Sequence, residues 1–340
     1  MKRRMSLFVV LLFALSLVLT ACGSSESAPQ FRMGMAWLAA EHTMTAKAAF
    51  SFKEKIERES NGRIEATVYH SQQISTPDRE NAEKTQQNII QMTSVPLYTI
   101  TEYSGIQEFT VSEIPFMFWS IEELDAMVDS DFFAPYYKRF EEQTGLMIVG
   151  GYAQGAIKVA TTKKAFRLPE DIKGLKLRTQ VSEIYMDTLD EWGAAPTPMA
   201  FGEVFTALRQ GTVEGMIGST QMIWDEGFYE PLSHIADVNP FLNYHLILVN
   251  KQFYTSLPDD LKKIFDDCIK FYENLGRVTV GQADESFLDL MQDAGLTVVR
   301  LTPEERQVWI NATKKTYDKA KAKLSAEFVN AAEEFLAKLR

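Results

Sequence analysis

Apolar residues along this chain of 340 residues recur at two spacings, every second position and every third or fourth position. These are the periods of strands and helices. The segment 43–60 shows the helical period, and the segment 63–69 shows the strand period because Ile64, Ala66 and Val68 fall on one face. The pattern therefore predicts a helix followed directly by a strand.

The same two periods extend over the rest of the chain. We predict strands at 31–37, 63–69, 89–95, 146–150, 156–162, 175–179, 213–217, 245–250 and 296–301. We predict helices at 43–60, 78–88, 121–129, 132–144, 181–192, 201–210, 258–274 and 276–294, and one or two helices over 303–340. Strands that alternate with helices indicate an α/β protein with largely parallel sheets. A second unit begins near Gln154 without a Gly/Ser-rich linker, which indicates two hinged units with a cleft between them.

The first residues, 1–21, have the composition of an export signal. Three basic residues precede an apolar stretch, 6–20, that is too short to span a bilayer comfortably. The stretch ends in Leu-Thr-Ala-Cys, the pattern of a bacterial lipoprotein cleavage site, so we expect Cys22 to be the acylated first residue of the mature chain. An ordinary signal peptide with an incidental cysteine is the alternative. Residues 22–30 then form a polar tether.

Composition limits the class of the mature protein. The formal charge of the full chain is −11, and loss of the three basic signal residues lowers it to −14. This balance argues against nucleic acid as a partner and favours a soluble, acidic, exported protein of two domains. No second segment is long and apolar enough to cross a membrane. Only Cys268 remains besides the acylated cysteine, so we expect no intrachain disulfide, and its helical surroundings predict a buried, unreactive thiol.

No motif for catalysis or metal binding stands out in the sequence. The four histidines, at 42, 70, 234 and 245, are not at metal-ligand spacing. No nucleophile elbow, phosphate-binding loop or dinucleotide fingerprint opens a helix. The many carboxylate pairs are typical of solvated helix faces. We therefore expect no enzyme, no metal and no cofactor.

One arginine does stand out, because Arg178 ends a short predicted strand. Leu175 and Leu177 alternate with Lys176 and Arg178, which places the two basic side chains on the opposite face. Open α/β sheets bind ligands at the carboxyl ends of their strands, and a guanidinium group there suits a carboxylate. A structural salt bridge is the alternative role for Arg178.

The block around Arg178 also carries a resemblance to a known family. The chain resembles the solute-binding proteins of tripartite ATP-independent periplasmic (TRAP) transporters, the DctP-type family, in runs that cover most of its mature part. These runs are 57–64, 114–118, 168–178, 196–199 and 203–215. The resemblance implies a clamshell of two α/β domains that close over a ligand, with hinge-crossing strands and a long C-terminal helical region.

The resemblance also implies a domain division and a function. We expect domain I to comprise 31–154 and about 244–283, and domain II to comprise 155–243 and about 284–340. The expected function is capture of a small organic acid by closure of the cleft and delivery to the permease subunits of the transporter. We expect a monomer in the periplasm or on the outer face of the cytoplasmic membrane, held there by the lipid anchor. A binding lipoprotein of an ATP-driven importer, an exported enzyme and a lipoprotein adhesin are the alternatives.

Three positions acquire roles from the resemblance. Arg178 matches the arginine that pairs with the carboxylate of the ligand. Lys158 takes the place of a second basic contact, which is an arginine in other members, and it is either a ligand contact or an exposed strand lysine. Gly218 stands where an asparagine often holds the carboxylate. The residues that could replace that asparagine are Ser219, Thr220 and Gln221.

Aromatic residues are the remaining candidates for the site. Phe201 matches a position that often lines the pocket, with a place in the core as the alternative. Trp37, Tyr98, Tyr152 and Trp224 fall at strand ends that face the presumed cleft. Each of them alone also suits a core, but together they favour a ligand with an apolar or aromatic part.

Overall fold

The computed structural model describes residues 28–75, 77–281 and 283–340, so the predicted signal peptide, Cys22 and most of the tether lie outside the described residues. Its strands are β1 (Phe31–Ala36), β2 (Ile64–Tyr69), β3 (Met92–Pro96), β4 (Leu146–Thr161), β5 (Lys176–Thr179), β6 (Ala195–Pro198), β7 (Gly215–Ser219), β8 (His234–Ala236), β9 (Leu242–Asn250) and β10 (Thr297–Val299). Its α-helices are α1 (Met44–Glu59), α2 (Asp78–Gln86), α3 (Leu97–Ser104), α4 (Ile121–Asp129), α5 (Ala134–Thr144), α6 (Glu183–Glu191), α7 (Val204–Gln210), α8 (Thr220–Asp225), α9 (Lys251–Ser256), α10 (Asp259–Gly281), α11 (Asp284–Asp293), α12 (Pro303–Asn311), α13 (Lys314–Ala322) and α14 (Ala326–Leu339).

The strands form one sheet in the order β2-β1-β3-β9-β4-β7-β5-β6, with β8 against β4 and β10 against β8. β1 runs parallel to β2 and β3, and β5 runs parallel to β6 and β7. β4 and β9 are antiparallel to each other, and they pair antiparallel with β7 and β3. We call the half with β1–β3 and α1–α3 the first lobe, and the half with β5–β7, α8 and α11 the second lobe. The α/β prediction holds, but the strands that join the lobes are antiparallel and the sheet is therefore mixed.

The strands predicted at 146–150 and 156–162 are a single strand, β4, which runs through both lobes. Its glycines interrupted the apolar pattern and made one strand look like two. Gly151 has a packing role, since a Cβ atom there would lie 2.6 Å from the ring of Tyr244 and 2.9 Å from the carbonyl oxygen of His245 on β9. The domain boundaries predicted near 154 and 244 fall within β4 and β9, and they stay a prediction.

The break between the two long helices lies further along the chain than predicted. We expected it near 275, but α10 continues to Gly281 and α11 begins at Asp284. Gly276 lies inside this helix and does not end it. The glycine instead lets α10 approach the sheet closely, since a Cβ atom at this position would lie 2.7 Å from the ring of Tyr152. Cys268 is fully buried on this helix, which confirms the predicted core thiol, and burial raises its pKa to about 12.

Several short elements were not predicted. They are α3, α8, α9, β6 and β8. β6 was missed because it contains Pro196 and Pro198, but it is the outermost strand of its lobe, where a missing N–H costs no ladder bond. The region 303–340 forms three helices, where we expected one or two. In the described part of the chain, no helix combines the length and the apolar character of a membrane span.

Candidate ligand-binding site

A cavity of about 660 Å³ lies between the two lobes. This volume is in the usual range of small-molecule sites, roughly 300–1,000 Å³. Its walls come from the residues that follow β1, β3, β5 and β6, together with the starts of α1 and α2 and one side of α8. The carboxyl ends of parallel strands from both lobes thus meet at one place, as the sequence analysis expected for a ligand site.

Arg178 lies in the wall of this cavity with a guanidinium group that is almost fully buried and poorly satisfied. The residue is 2% exposed. One terminal nitrogen donates to the carbonyl oxygen of Met199 at 3.3 Å, while Nε and the other terminal nitrogen have no hydrogen-bond partner among the described residues. Burial lowers the pKa of Arg178 to about 10, so the group remains charged at neutral pH. A buried cation with unused donors is arranged to receive an anion.

Two titratable groups face the same part of the cavity. Burial raises the pKa of Tyr98. The charge of Asp78 raises this pKa further, whereas the charge of Arg178 lowers it. Tyr98 therefore lies within electrostatic reach of both residues. Asp78, at the first turn of α2, has a pKa raised to about 7 by burial. The carboxyl group of Asp78 makes no hydrogen bond or ion pair with the described residues, so it is available to a ligand.

The rest of the lining offers neutral polar groups. Gln221 donates from Nε2 to Asp225 at 3.4 Å and to Thr45 at 3.5 Å, whereas its Oε1 is buried without a described partner. The Oε1 atom of Gln180 is buried and unpaired in the same way. His245 adds no cation, because burial lowers its pKa to about 3 and leaves the imidazole neutral.

The lobes touch each other along one rim of the cavity. A carboxylate oxygen of Asp225 on α8 accepts from the backbone N–H of Met44 at 2.9 Å, and the carbonyl oxygen of Asp225 contacts His42 Nε2 at 2.6 Å. Next to them, Glu226 accepts from the backbone N–H of Ala40 at 3.2 Å. The carboxylate of Asp225 thus binds the first turn of α1, whose dipole favours negative charge, and Glu226, just after α8, binds the segment before α1.

Lys158 does not line the cavity. It is fully buried on β4, where its ammonium group lies 2.6 Å from Asp284 and 2.5 Å from the side-chain oxygen of Asn239. The other carboxylate oxygen of Asp284 accepts from the hydroxyl of Thr220. The sequence left two roles open for Lys158, a ligand contact and an exposed strand lysine. Its placement favours neither role, because the lysine is a buried partner in an ion pair.

The remaining candidates divide into two groups. Trp37, Tyr98, Phe201 and Gln221 line the cavity together with Arg178.

Tyr152, Ser219 and Trp224 are not among the lining residues. The hydroxyl of Tyr152 lies 3.0 Å from Ser94 Oγ and 3.1 Å from the hydroxyl of Tyr272, inside the first-lobe core. Trp224 stacks on Tyr229 with ring centroids 4.5 Å apart. Their placement gives no support to direct contact with a ligand.

Gly218 lies on β7 with methionines packed against its α-carbon. A Cβ atom there would lie 2.3 Å from Cε of Met222 and 3.0 Å from Cε of Met216. The space that an asparagine would need is therefore occupied by thioether side chains. Of the three residues considered as substitutes for that asparagine, Gln221 alone lines the cavity.

Several lining residues escaped the sequence analysis, among them Asp78, Gln180 and Asp225. Gln180 comes two residues after Arg178, so the strand-end argument already contained the signal for it. Asp78 opens a predicted helix, and only the meeting of the lobes shows that this helix starts at the cavity. Among the described residues, no group of three or more His, Cys, Asp or Glu side chains is placed to hold a metal ion.

Two lobes joined by crossing strands, a cavity at the carboxyl ends of their strands and one buried guanidinium group define a ligand-binding protein of the clamshell type. Comparison with known proteins gives the family. The family described as "Bacterial extracellular solute-binding protein, family 7", DctP, matches residues 33–324, and the chain belongs to this family. The resemblance that the sequence showed is thereby confirmed.

Individual relatives agree with this assignment. The chain is 28% identical over 295 residues to the C4-dicarboxylate-binding periplasmic protein DctP of Rhodobacter capsulatus, covering 86% of this chain and 87% of the relative. The sugar acid binding protein DctPAm of Advenella mimigardefordensis, solved with galactonate, has a TM-score of 0.85 at 22% identity, covering 92% and 99% of the two chains. A TRAP periplasmic solute-binding protein of Shewanella oneidensis, solved with succinate, has a TM-score of 0.83 at 24% identity, covering 91% and 100%. These likenesses confirm the two-domain clamshell fold.

Proposed function

We propose that this protein captures a small organic acid in the cavity between its lobes, with the ligand carboxylate paired to Arg178. The main observation in favour of this proposal is the buried guanidinium group of Arg178. The residue is 2% exposed, and Nε and one terminal nitrogen have no hydrogen-bond partner among the described residues. A carboxylate supplies the two acceptors that such a fork requires. The relatives solved with galactonate and succinate both hold carboxylates, which supports the same ligand class here.

Closure of the lobes gives the capture its strength. Removal of water from the cleft strengthens the charge pair, and the ligand stabilises the closed form because it binds that form better. The contacts of Asp225 with the start of α1 and of Glu226 with Ala40 belong to the part of this closed arrangement that protein atoms supply.

A thermal-shift screen of organic acids first identifies a ligand, because binding to the native state raises the melting temperature. Calorimetry with the purified protein then measures the affinity for that ligand. Loss of one partner of a buried charge pair costs about 2–5 kcal/mol, so Arg178→Met should weaken binding by roughly thirtyfold to several thousandfold. Arg178→Lys should also weaken it, because an ammonium group cannot form the fork. Arg209→Met, at an exposed arginine, is the matched control. Equal affinity in the wild type and both Arg178 variants would overturn the proposal.

Delivery to the membrane is the second part of the proposed function. The bound acid passes unchanged to the permease subunits of a TRAP transporter, without catalysis. Proteoliposomes that contain the permease should take up labelled acid only when this protein is added, and mass spectrometry should find the acid chemically intact. Turnover of the acid by the protein alone would instead indicate an enzyme.

Attachment to the membrane through Cys22 belongs to the proposal as well and is supported by the signal-like sequence before it. The mature protein should partition into a detergent phase and carry an acylated N-terminal cysteine by mass spectrometry. The Cys22→Ser variant should remain in the aqueous phase. An unmodified N-terminus in the wild type would contradict the anchor.

A further inference from the structure

The cavity offers one usable cation and several unpaired acceptors. Arg178 is the buried cation, and the other basic lining residue, Arg79, is paired with Glu83 at 3.0 Å and with Glu102 at 3.5 Å. Lys158 is held by Asp284 outside the cavity, and His245 is neutral. Within the described lining, a second carboxylate on a ligand would therefore find no cation of its own.

Several hydrogen-bond acceptors in the cavity lining have no donor. The buried Oε1 atoms of Gln180 and Gln221 have no described hydrogen-bond partner. The amide orientation of Gln221 is fixed, because its Nε2 faces the carboxylate of Asp225, which only accepts. The carboxyl group of Asp78 is also without a described partner. Buried acceptors are stabilised by donors, and an unmatched acceptor costs free energy.

These two facts select among carboxylic acids. The second carboxylate of a dicarboxylate brings only acceptors, and the unpaired groups of the lining offer it one neutral donor, Trp37 Nε1, against two amide oxygens and Asp78. Above the raised pKa of Asp78, about 7, this carboxyl group is also charged, and like charges within one cavity are unfavourable. A monocarboxylate with hydroxyl groups brings one carboxylate for Arg178 and donors for the rest of the lining. We infer that the ligand is a polyhydroxylated monocarboxylic acid and that Asp78 is the residue that excludes dicarboxylates. This inference rests on the proposed function of the same cavity.

The experiment compares acids that differ at one carbon atom. Pairs of equal chain length are glycerate with tartronate, threonate with tartrate, and galactonate with galactarate, where the second acid of each pair carries a carboxylate in place of the terminal CH₂OH group. Galactitol, which has no carboxylate, is the neutral reference. Calorimetry at pH 8, where Asp78 is ionised, should show that the monoacid of the best-fitting pair binds at least tenfold more tightly than its diacid, and that galactitol does not bind.

Asp78→Asn should reduce the ratio of the two affinities at least threefold, because the amide can donate to a second carboxylate. Retained binding of the monoacid shows that this variant is folded. Asp293→Asn, at an exposed carboxylate outside the cavity, should leave the ratio unchanged.

The possible outcomes distinguish a failure of this inference from a failure of the proposed function. If a diacid binds as tightly as its monoacid and this binding depends on Arg178, the inference is overturned while the proposed function stands. If the ratio is the same in the wild type and in Asp78→Asn, the role of Asp78 is overturned. If no acid of any pair binds, the proposed function fails and the inference fails with it.

Discussion

The ammonium group of Lys158 lies 2.6 Å from the carboxylate of Asp284, across 126 residues of sequence. The pair connects β4 to the first turn of α11, and Thr220 at the start of α8 binds the same carboxylate. Lys158 is fully buried, whereas the side chain of Asp284 is one-quarter exposed. The pair thus ties the strand that crosses both lobes to two helices of the second lobe.

Lys158→Met should therefore reduce stability and spare binding. Removal of one partner leaves Asp284 without its cation, which costs about 2–4 kcal/mol of unfolding free energy for a pair that is partly exposed. Urea unfolding measures this loss, and calorimetry should show ligand affinity within about threefold of the wild type. Lys163→Met, at an exposed lysine, is the control. A variant of normal stability with weakened binding would restore Lys158 as a ligand contact.

Lys158 and Arg178 also show how far the sequence predicts the site. Arg178 was found because alternation along four residues fixes the face of a strand, and strand ends are where ligands bind. The partner of Lys158 could not be found this way, because Asp284 lies on a helix start that no local pattern connects to β4. The same holds for Asp78 and Asp225, which reach the cavity only through the meeting of the two lobes.

The fold was predictable to a similar extent. Most helices and strands followed from their apolar periods, whereas the breaks predicted after 150 and after 274 lie beside glycines inside one strand and one helix. Gly151 and Gly276 allow close packing against Tyr244 and Tyr152, but a glycine in sequence looks the same whether it ends an element or lets another approach.

Gly218→Asn should not restore the asparagine contact that other family members use. A side chain at this position meets the Cε atoms of Met222 and Met216, which must shift, and such overpacking costs about 1 kcal/mol because both atoms end flexible side chains. The melting temperature should fall without any gain in ligand affinity. Met222→Ala combined with Gly218→Asn should recover part of the loss, because the nearest atom is removed. If Gly218→Asn alone binds the acid more tightly at unchanged stability, then the space is available and our interpretation of the glycine is wrong.

Glu113→Gln should remove part of the pH dependence of stability. Glu113 is buried, and one carboxyl oxygen accepts from the hydroxyl of Ser182 at 2.6 Å while the other has no described partner. Burial raises its pKa to about 7, although Ser182 and the charge of Lys323 oppose the shift. The folded state therefore holds the proton more tightly than the unfolded state, whose pKa is near 4.5. The contribution of Glu113 is full below pH 4.5 and is lost as the pH rises to about 7.

The size of this loss is about 3 kcal/mol, from the separation of the two pKa values. Urea unfolding from pH 4.5 to 8 should show that the wild type loses more stability with rising pH than Glu113→Gln does. Asp78, whose pKa is also about 7, contributes equally to both proteins and cancels in the difference. Glu122→Gln, at an exposed carboxylate, should retain the wild-type slope. Parallel curves for wild type and Glu113→Gln would contradict the assignment.

The contact between Asp225 and the backbone N–H of Met44 can be tested by removal of the donor alone. Met44 is the first residue of α1, where proline is well tolerated, and Thr43 before it has φ −69° and ψ 158°, which suits a residue that precedes proline. Met44→Pro should thus preserve the helix but abolish the hydrogen bond at 2.9 Å that joins the lobes. We expect ligand affinity to fall by about 3- to 10-fold, mainly through faster release, which stopped-flow measurements resolve.

The control for the lost side chain is Met44→Ala, which keeps the N–H. Because the side chain of Met44 packs against the core of the second lobe, Met44→Ala measures that packing, and the further loss of affinity in Met44→Pro measures the hydrogen bond. Asp225 itself lines the cavity, so Asp225→Ala alone cannot separate closure from ligand contact. A double-mutant cycle does separate them, since the difference between Met44→Pro and Met44→Ala should vanish when Asp225 is already alanine. If the two effects simply add, the hydrogen bond does not stabilise the closed form, and closure depends on the ligand and on the neighbouring contact of Glu226 with Ala40.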